Sequence, residues 1–312
     1  MKTRAFICIV LAGVFWGTSG IFSKVLSPYG FTAWQLTALR GVVAFVCLAL
    51  FALLRDRRLF CVRGRAMLLY LCIGLALFGT SGCYFAAMQL TSVSTAVVLM
   101  YTAPVMVMLF SVLFWKERFT KLKLLSVGVM LLGCVLVSGV IGGLRLDPIG
   151  FLVGLLSGVS YASYNLLTKY ATQRGLPPAS ITLYGALFMA LIALFVCRPL
   201  GILDAAAKRP ALTIPLILLL GALTFILPYL FYARGLKELP AGTASSLSIV
   251  EPMAATLFSI AFLSEKPSIF SVLGILLILT AVFLLSRADK QKSARISAAQ
   301  TANDKKKTEN KV

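Results

Sequence analysis

The sequence predicts an all-α integral membrane protein, with ten transmembrane helices arranged as two inverted five-helix repeats. Three observations carry this. Of 312 residues, 60% are hydrophobic and 13% charged, with a mean hydropathy of +0.95, whereas a soluble domain carries about a quarter charged residues. The apolar residues fall into successive runs close to the roughly 20 residues that one spanning helix needs. The chain also resembles itself at an offset of 145 to 148 residues. An ordinary soluble enzyme and a disordered chain are both excluded. The runs fill so much of the chain that any activity must reside in the helical bundle itself.

In order, the runs predict helices over 5–26, 31–54, 66–88, 91–114, 121–140, 148–170, 179–198, 211–234, 239–263 and 267–287. The first follows Met1, Lys2, Thr3 and Arg4, as a signal peptide would. A second long span follows within a few residues, so the first reads as a retained helix. Residues 288–312 change abruptly, with Lys290, Lys292, Arg295 and Lys305 to Lys307 and little apolar content. They read as a basic, disordered cytoplasmic tail.

The net charge of +20 raises the question of nucleic acid. Cations that bind nucleic acid cluster on one domain surface with aromatics between them. Here they sit in short runs between spans, as topology signals do, so the expected partner is the lipid bilayer and no nucleic acid. Arg55, Arg57, Arg58, Arg63, Arg65, Lys116, Arg118, Lys121, Lys123 and the tail cations share one side with Lys2 and Arg4. Only Arg145, Arg198, Lys208, Arg209 and Lys266 fall on the other. Both termini are therefore expected in the cytoplasm, in a multi-pass protein of the plasma (inner) membrane with an even number of spans.

Histidine is absent, which excludes Ser-His-Asp and Cys-His catalysis and His-ligated metals. The seven cysteines, Cys8, Cys47, Cys61, Cys72, Cys83, Cys134 and Cys197, show no paired spacing and read as small hydrophobes. No phosphate-binding G-x-x-x-x-G-K-[ST] loop occurs. No metal or cofactor is expected, and no catalysis.

The self-similarity is specific. At offset 145, Gly13 and Val14 meet Gly158 and Val159, Lys24 meets Lys169, and Trp16 meets Tyr161. At offset 148, Tyr84 meets Tyr232, Thr95 and Ala96 meet Thr243 and Ala244, Pro104 meets Pro252, and Glu117 meets Glu265. Matches of Pro, Glu, Lys and Tyr are hard to obtain by chance in an apolar chain. The repeats are expected at 1–143 and 144–287. Five spans is an odd number, so the second repeat enters the membrane inverted. That architecture is common in secondary transporters, with the substrate near the midplane at the repeat interface. A duplication that serves only packing is the alternative.

These features resemble the drug/metabolite transporter superfamily, EamA type. The resemblance rests on Trp16 and Gly17, on Arg40, on Thr95 and Ala96 followed by Pro104 and Lys116-Glu117-Arg118, and on Thr243 and Ala244 followed by Glu251-Pro252 and Ser264-Glu265-Lys266. It covers about residues 5–287. It implies a secondary transporter, working as an exporter, of small organic metabolites such as amino acids or related amphipathic compounds. An ion channel and an intramembrane enzyme are the other classes. A channel normally shows a filter loop or charge ring, and an enzyme needs a catalytic cluster at one depth; neither is evident.

Intramembrane ionisable groups cost roughly 2.5–3.5 kcal/mol each to insert, so two call for roles. Glu251 lies near the middle of the ninth span, opposite Ala103 in the repeat, with Tyr101 close by. It can bind a cationic group or exchange a proton, or serve as a structural partner beside Pro252. Arg40 is deep in the second span, opposite Phe188. It keeps its proton, so it needs Glu251, helix carbonyls or a substrate carboxylate. Lys24 and Lys169 are expected to snorkel as topology anchors. Pro104 and Pro252 are matched candidates for hinges or for simple helix curvature. Trp16, Tyr84, Tyr161, Asn165, Tyr232 and Ser246 supply aromatic faces and polar groups suited to an amphipathic solute, or to interhelical packing. Gly17, Gly20, Gly154 and Gly158 are expected to let helices approach closely.

Overall fold

The computed structural model of the chain describes residues 2–60, 62, 64–91, 93–115, 120–137, 147–197, 199–263 and 268–285. The basic tail, the Lys116-Glu117-Arg118 and Ser264-Glu265-Lys266 motifs, and the Glu117 and Glu265 pair lie outside the described residues.

In the first half, α1 (Lys2–Gly17) runs through Thr18 into α2 (Ser19–Leu26). Next come α3 (Ala33–Arg55), α4 (Gly64–Leu90), α5 (Val93–Met100), α6 (Ala103–Trp115) and α7 (Lys121–Val137). The second half holds α8 (Pro148–Gln173), α9 (Pro178–Val196), the short α10 (Leu200–Ala207) and α11 (Pro210–Gly221). A π-helical turn at Ala222–Ile226 leads into α12 (Leu227–Glu238), followed by α13 (Ala241–Leu247), α14 (Val250–Leu263) and α15 (Ile269–Leu285). Among the described residues, eight stretches are long and apolar enough to cross a membrane. They correspond to the expected first to fourth and sixth to ninth spans. The helices α7 and α15 occupy the fifth and tenth places and are shorter as described.

Local chemistry explains the boundaries. Thr32 and Gln35 form a reciprocal capping box that starts α3, with bonds of 3.0 and 3.3 Å, satisfying amides that the first helical turn leaves open. Asp147 accepts from the Gly150 amide at 2.6 Å and Pro148 opens α8. Gly30 and Gly175, at φ of 98° and 79°, make turns that a side chain would strain. The short α10 falls in a connection read from sequence as a loop. Its carbonyl at Ala206 accepts from Thr213 Oγ1 at 2.9 Å.

Four of the expected spans are interrupted. Proline lacks the amide that would bond four residues back. Pro104 thus frees the Met100 carbonyl, and the chain makes a tight turn at Tyr101 and Thr102 before α6 begins. At Pro252 the turn falls at Ser248 and Ile249, and the Ser248 carbonyl accepts instead from the Glu251 amide at 2.9 Å. Pro228 follows the π-helical turn, where the Leu227 amide donates five residues back to Ala222. At Thr18 no proline is involved. The Thr18 and Ser19 hydroxyls donate to the Phe15 and Trp16 carbonyls at 2.7 and 2.6 Å, which competes with the helix ladder.

Packing exchanges the halves. The most extensive pairing is α4 on α8; its counterpart, α12 on α1, is equalled by α3 on α9. Likewise α5 and α6 pack on α8, while α13 and α14 pack on α1. Each half is therefore completed by the other, with one continuous core between them. The perimeter is apolar. Leu54, Leu109, Phe195, Phe262 and Ile269 are all largely exposed, Phe195 at 93%. Such a surface is a liability in water and is at home in hydrocarbon.

Candidate functional site

The interruptions converge on one cavity of about 400 Å³, within the range of small-molecule sites. Its wall takes Trp16, Ser19 and Gly20 from either side of Thr18, Thr37 and Arg40 from α3, and Ser81 and Tyr84 from α4. Tyr101 enters from the α5–α6 turn, Tyr161 from α8, Tyr229 from α12, and Glu251 and Pro252 from α14. The helix breaks thus bring polar backbone and side chains to a depth where a continuous helix would present only packing surface.

The wall has two chemical ends. Arg40 donates from its Nη2 to Ser81 Oγ, while its buried Nε has no partner among the described residues. Trp16 Nε1 and the Tyr101 hydroxyl are also buried without hydrogen-bond partners among them. Tyr101 lies beside Glu251, and Arg40 is near enough to interact with Glu251 electrostatically. Both charges face the same cavity without forming a direct ion pair. The Arg40–Glu251 pairing considered from sequence is therefore a long-range one. The arrangement offers a guanidinium and unpaired N–H and O–H donors to an anionic or acceptor-rich group. It also offers a carboxylate among aromatic rings to a cationic one. Trp16 supplies an aromatic platform, with ring centroids 5.1 Å from Tyr229 and 6.4 Å from Tyr161.

Not every sequence candidate lines the cavity. Trp16, Arg40, Tyr84, Tyr101, Tyr161, Glu251 and Pro252 do. Asn165, Tyr232 and Ser246 lie outside its wall and are fully buried. Tyr161 donates to Ser248 Oγ at 2.9 Å, Asn165 Nδ2 to the Tyr161 carbonyl at 2.6 Å, and the Tyr232 hydroxyl to Asn165 Oδ1. Tyr164 packs against Tyr229 and Tyr232 at 5.3 and 6.0 Å between centroids. These groups plug the bundle on the cavity's closed side. In the opposite direction the wall extends to Ser23 on α2, Ala33 on α3 and Met88 on α4, toward the α2–α3 turn, and this side is read as the mouth. Ser246 donates to the Gly242 carbonyl at 2.7 Å within α13. Pro104 sets the turn that presents Tyr101 without reaching the wall itself.

Two sequence readings are corrected. Gly17, Gly154 and Gly158 do sit at close helix contacts, but nothing lies within 4 Å of a Cβ built on Gly20, which instead lines the cavity. Lys169 does not snorkel. It is buried at 8% exposure, and its Nζ donates to the Leu236 and Leu239 carbonyls at 2.7 Å each. Its repeat mate Lys24 is exposed, as expected. The sequence reading missed Thr37, Ser81 and Tyr229. Each lies three residues before a residue it did single out, Arg40, Tyr84 and Tyr232, and so shares a helical face with it.

The comparisons agree with this architecture. The EamA-like transporter family matches twice, over residues 3–139 and 148–287. The uncharacterized transporter YwfM of Bacillus subtilis is 27% identical over 288 residues, covering 92% of this chain and 95% of its own length. An uncharacterized transporter of Clostridium kluyveri is 26% identical, with coverages of 96% and 98%, and one of Archaeoglobus fulgidus is 29% identical, with 89% and 95%. A solved structure, described only as the crystal structure of a protein, superposes with a TM-score of 0.76 at 18% identity. It covers 93% of this chain and 99% of its own, and at that identity it speaks for the fold. With a helical membrane bundle, one cavity at the junction of two halves and a family match in each half, the chain belongs to the EamA-like transporter family.

Proposed function

We propose that this membrane transporter is a secondary exporter of small organic metabolites, amino acids or related amphipathic zwitterions, working by alternating access at the interface of its two repeats. The observation that carries this is the two-ended cavity wall. Arg40 and Trp16 Nε1 present donors, Glu251, with Tyr101 beside it, presents the only carboxylate among the described residues of that wall, and aromatic rings share the surface. A zwitterion with an apolar body satisfies both ends at once. An anion leaves Glu251 uncompensated, and a simple cation leaves Arg40 so.

The distribution of Lys and Arg supports a cavity mouth on the outer face of the plasma membrane, with both termini inside. The repeats, 1–143 and 144–287, exchange conformations to open the same site inward. Lacking a phosphate-binding loop for nucleotide, the protein draws on an ion gradient for uphill transport, with Glu251 as the proton-exchanging group. Counterflow in proteoliposomes loaded with a panel of amino acids, amines and carboxylates tests the proposal. Neutral amino acids should exchange, whereas exchange of carboxylates alone or amines alone would overturn the zwitterion reading.

A further inference from the structure

The two sides of the bundle close with unequal side chains. On the closed side, α12 packs against α8. The Tyr232 hydroxyl donates to Asn165 Oδ1, and Asn165 Nδ2 donates to the Tyr161 carbonyl of its own helix at 2.6 Å. The second bond fixes the carboxamide with its oxygen toward Tyr232, so one fully buried side chain fastens the two helices. At offset 148 the mate of Tyr232 is Tyr84 on α4, and at offset 145 the mate of Asn165 is Gly20 on α2. Both mates line the cavity. Among the described residues, neither α1 nor α2 packs on α4 to a comparable extent.

Glycine forms helix poorly, and it is kept inside helices for a left-handed φ or for a close neighbour. Gly20 has neither here. Its backbone is helical, and nothing lies within 4 Å of a Cβ built on it. What separates it from its mate is the missing carboxamide, the group that accepts from the tyrosine. The tyrosine itself is kept: Tyr84 packs on Phe85, with ring centroids 5.6 Å apart. It also shares a face of α4 with Ser81, three residues earlier, and Ser81 holds Arg40. A carboxylate bound at the Arg40 end therefore has an oxygen to spare for Tyr84.

We infer that the space over Gly20 is a subsite for the solute, and that a solute oxygen accepts from Tyr84 the hydrogen bond that Asn165 accepts from Tyr232. This rests on the alternating-access reading and deepens it, because it makes closure of the mouth conditional on cargo. As α4 approaches α2, the Tyr84 hydroxyl leaves water. With the subsite empty it is buried without an acceptor, which is costly. With a carboxylate seated over Gly20 the bond is made and the mouth closes. The opposite side needs no solute, since Asn165 belongs to the chain.

The test returns the missing side chain. In a cysteine-free background, Ser23→Cys reports the mouth and its repeat mate Thr168→Cys the closed side, each probed from both faces of vesicles with a membrane-impermeant maleimide. Without solute, the parent should label at position 23 and be protected at 168. Gly20→Asn supplies an acceptor to Tyr84, so it should lower labelling at 23 and raise it at 168, each by about tenfold. Adding Tyr84→Phe removes the donor and should bring back the parent pattern. In the parent, a mixture of neutral amino acids should protect position 23. Tyr84→Phe alone should raise the half-protecting concentration by about three- to tenfold, the worth of one hydrogen bond.

Folded Gly20→Asn that labels like the parent overturns the inference. So does protection at 23 that persists when Tyr84→Phe is added, or that comes without labelling at 168, because the new side chain is then only a plug. If Gly20→Asn does not fold, Tyr84→Phe alone decides, and an unchanged half-protecting concentration overturns the inference. A parent closed to label at 23 from both faces would discard the mouth itself. Redistribution by Gly20→Asn in a protein that amino acids do not protect would keep the Tyr84 subsite and discard the zwitterion as its occupant.

Discussion

A matched pair of glycines isolates how tightly each half grips the other. Gly158 on α8 and Gly13 on α1 are repeat mates, and each faces the helix break of the opposite half. A Cβ on Gly158 would lie 2.8 Å from Thr102 Oγ1, 2.9 Å from the Leu99 carbonyl oxygen and 3.3 Å from that of Met100. The carbonyls are main chain and cannot swing aside, so Gly158→Ala forces α8 away from the α5–α6 turn. Overpacking of this kind costs about 1–3 kcal/mol. On Gly13 the nearest atoms, Glu251 N, Val250 Cβ and Ser248 O, stand at 3.4 to 3.5 Å, which is ordinary contact. Both substitutions gain the same helix propensity, about 0.8–1.0 kcal/mol, so that gain cancels in the comparison. Gly158→Ala should therefore be less stable than Gly13→Ala by about 1–3 kcal/mol. At roughly 2–4 °C per kcal/mol for a chain of this size, the thermal midpoints in detergent should differ by several degrees when scanned at one rate. Equal midpoints, or a lower one for Gly13→Ala, would refute the packing asymmetry.

Three other outcomes are expected. Single-cysteine labelling should place residues 55–65 and 288–312 inside and 200–209 outside; a tail found outside would reverse the orientation or the even span count. Pro104→Ala and Pro252→Ala restore a backbone amide at each break, which lets the helix ladder continue and stiffens it, so each should slow exchange more than it weakens substrate binding. Equal loss of folded protein would instead mark the prolines as structural. Glu251→Gln keeps shape and hydrogen bonding but removes titration, so it should fold and lose uphill transport or its pH dependence. Solute exchange should survive if Glu251 carries the proton and fall if it holds the ammonium; no change in any of these would eliminate both roles.

The repeat and the bilayer habit were legible because they rest on long-range periodicity, which local context barely disturbs. The positions of Pro104 and Pro252 announced two of the four helix breaks. The break at Thr18 depends on a hydroxyl choosing a carbonyl three residues back, which has no sequence signature, and the π-helical turn precedes Pro228, a proline that the sequence reading left unweighed. The site was legible where a residue is costly in a membrane. Arg40 and Glu251 both reach the cavity, because an ionisable group there must find a polar surrounding. Residue type alone could not separate Tyr84, which lines the cavity, from its mate Tyr232, which is fully buried. The two differ in which side of the bundle is closed, a property of the conformation. Lys169 was misread for the same reason. The composition of a helix end says that a lysine can reach water, not that a neighbouring helix will present two carbonyls to it.

That difference between mates bears on the cycle. Identical halves would give two states of equal energy, each open to one side. Here the closing residues are unequal. The closed side uses Tyr164, Asn165 and Thr168 from α8, and their mates at the mouth are Ser19, Gly20 and Ser23. Tyr164 gains two ring contacts, at about 0.5–1.5 kcal/mol each for a favourable aromatic pair. Asn165 holds the Tyr232 hydroxyl, for about another 0.5–1.5 kcal/mol. Closing the mouth recovers neither through Ser19 or Gly20, which carry no ring and no amide. On the proposed alternating-access cycle these contacts would favour the mouth-open state by a few kcal/mol, about one to three powers of ten in population. A solute that bridges the Arg40 and Glu251 ends can offset this bias, because drawing α2 and α4 together around it lets both walls contact it at once. On that proposed cycle the empty carrier would rest open to one side and cross mainly when loaded, which is the condition for coupling solute movement to the conformational change.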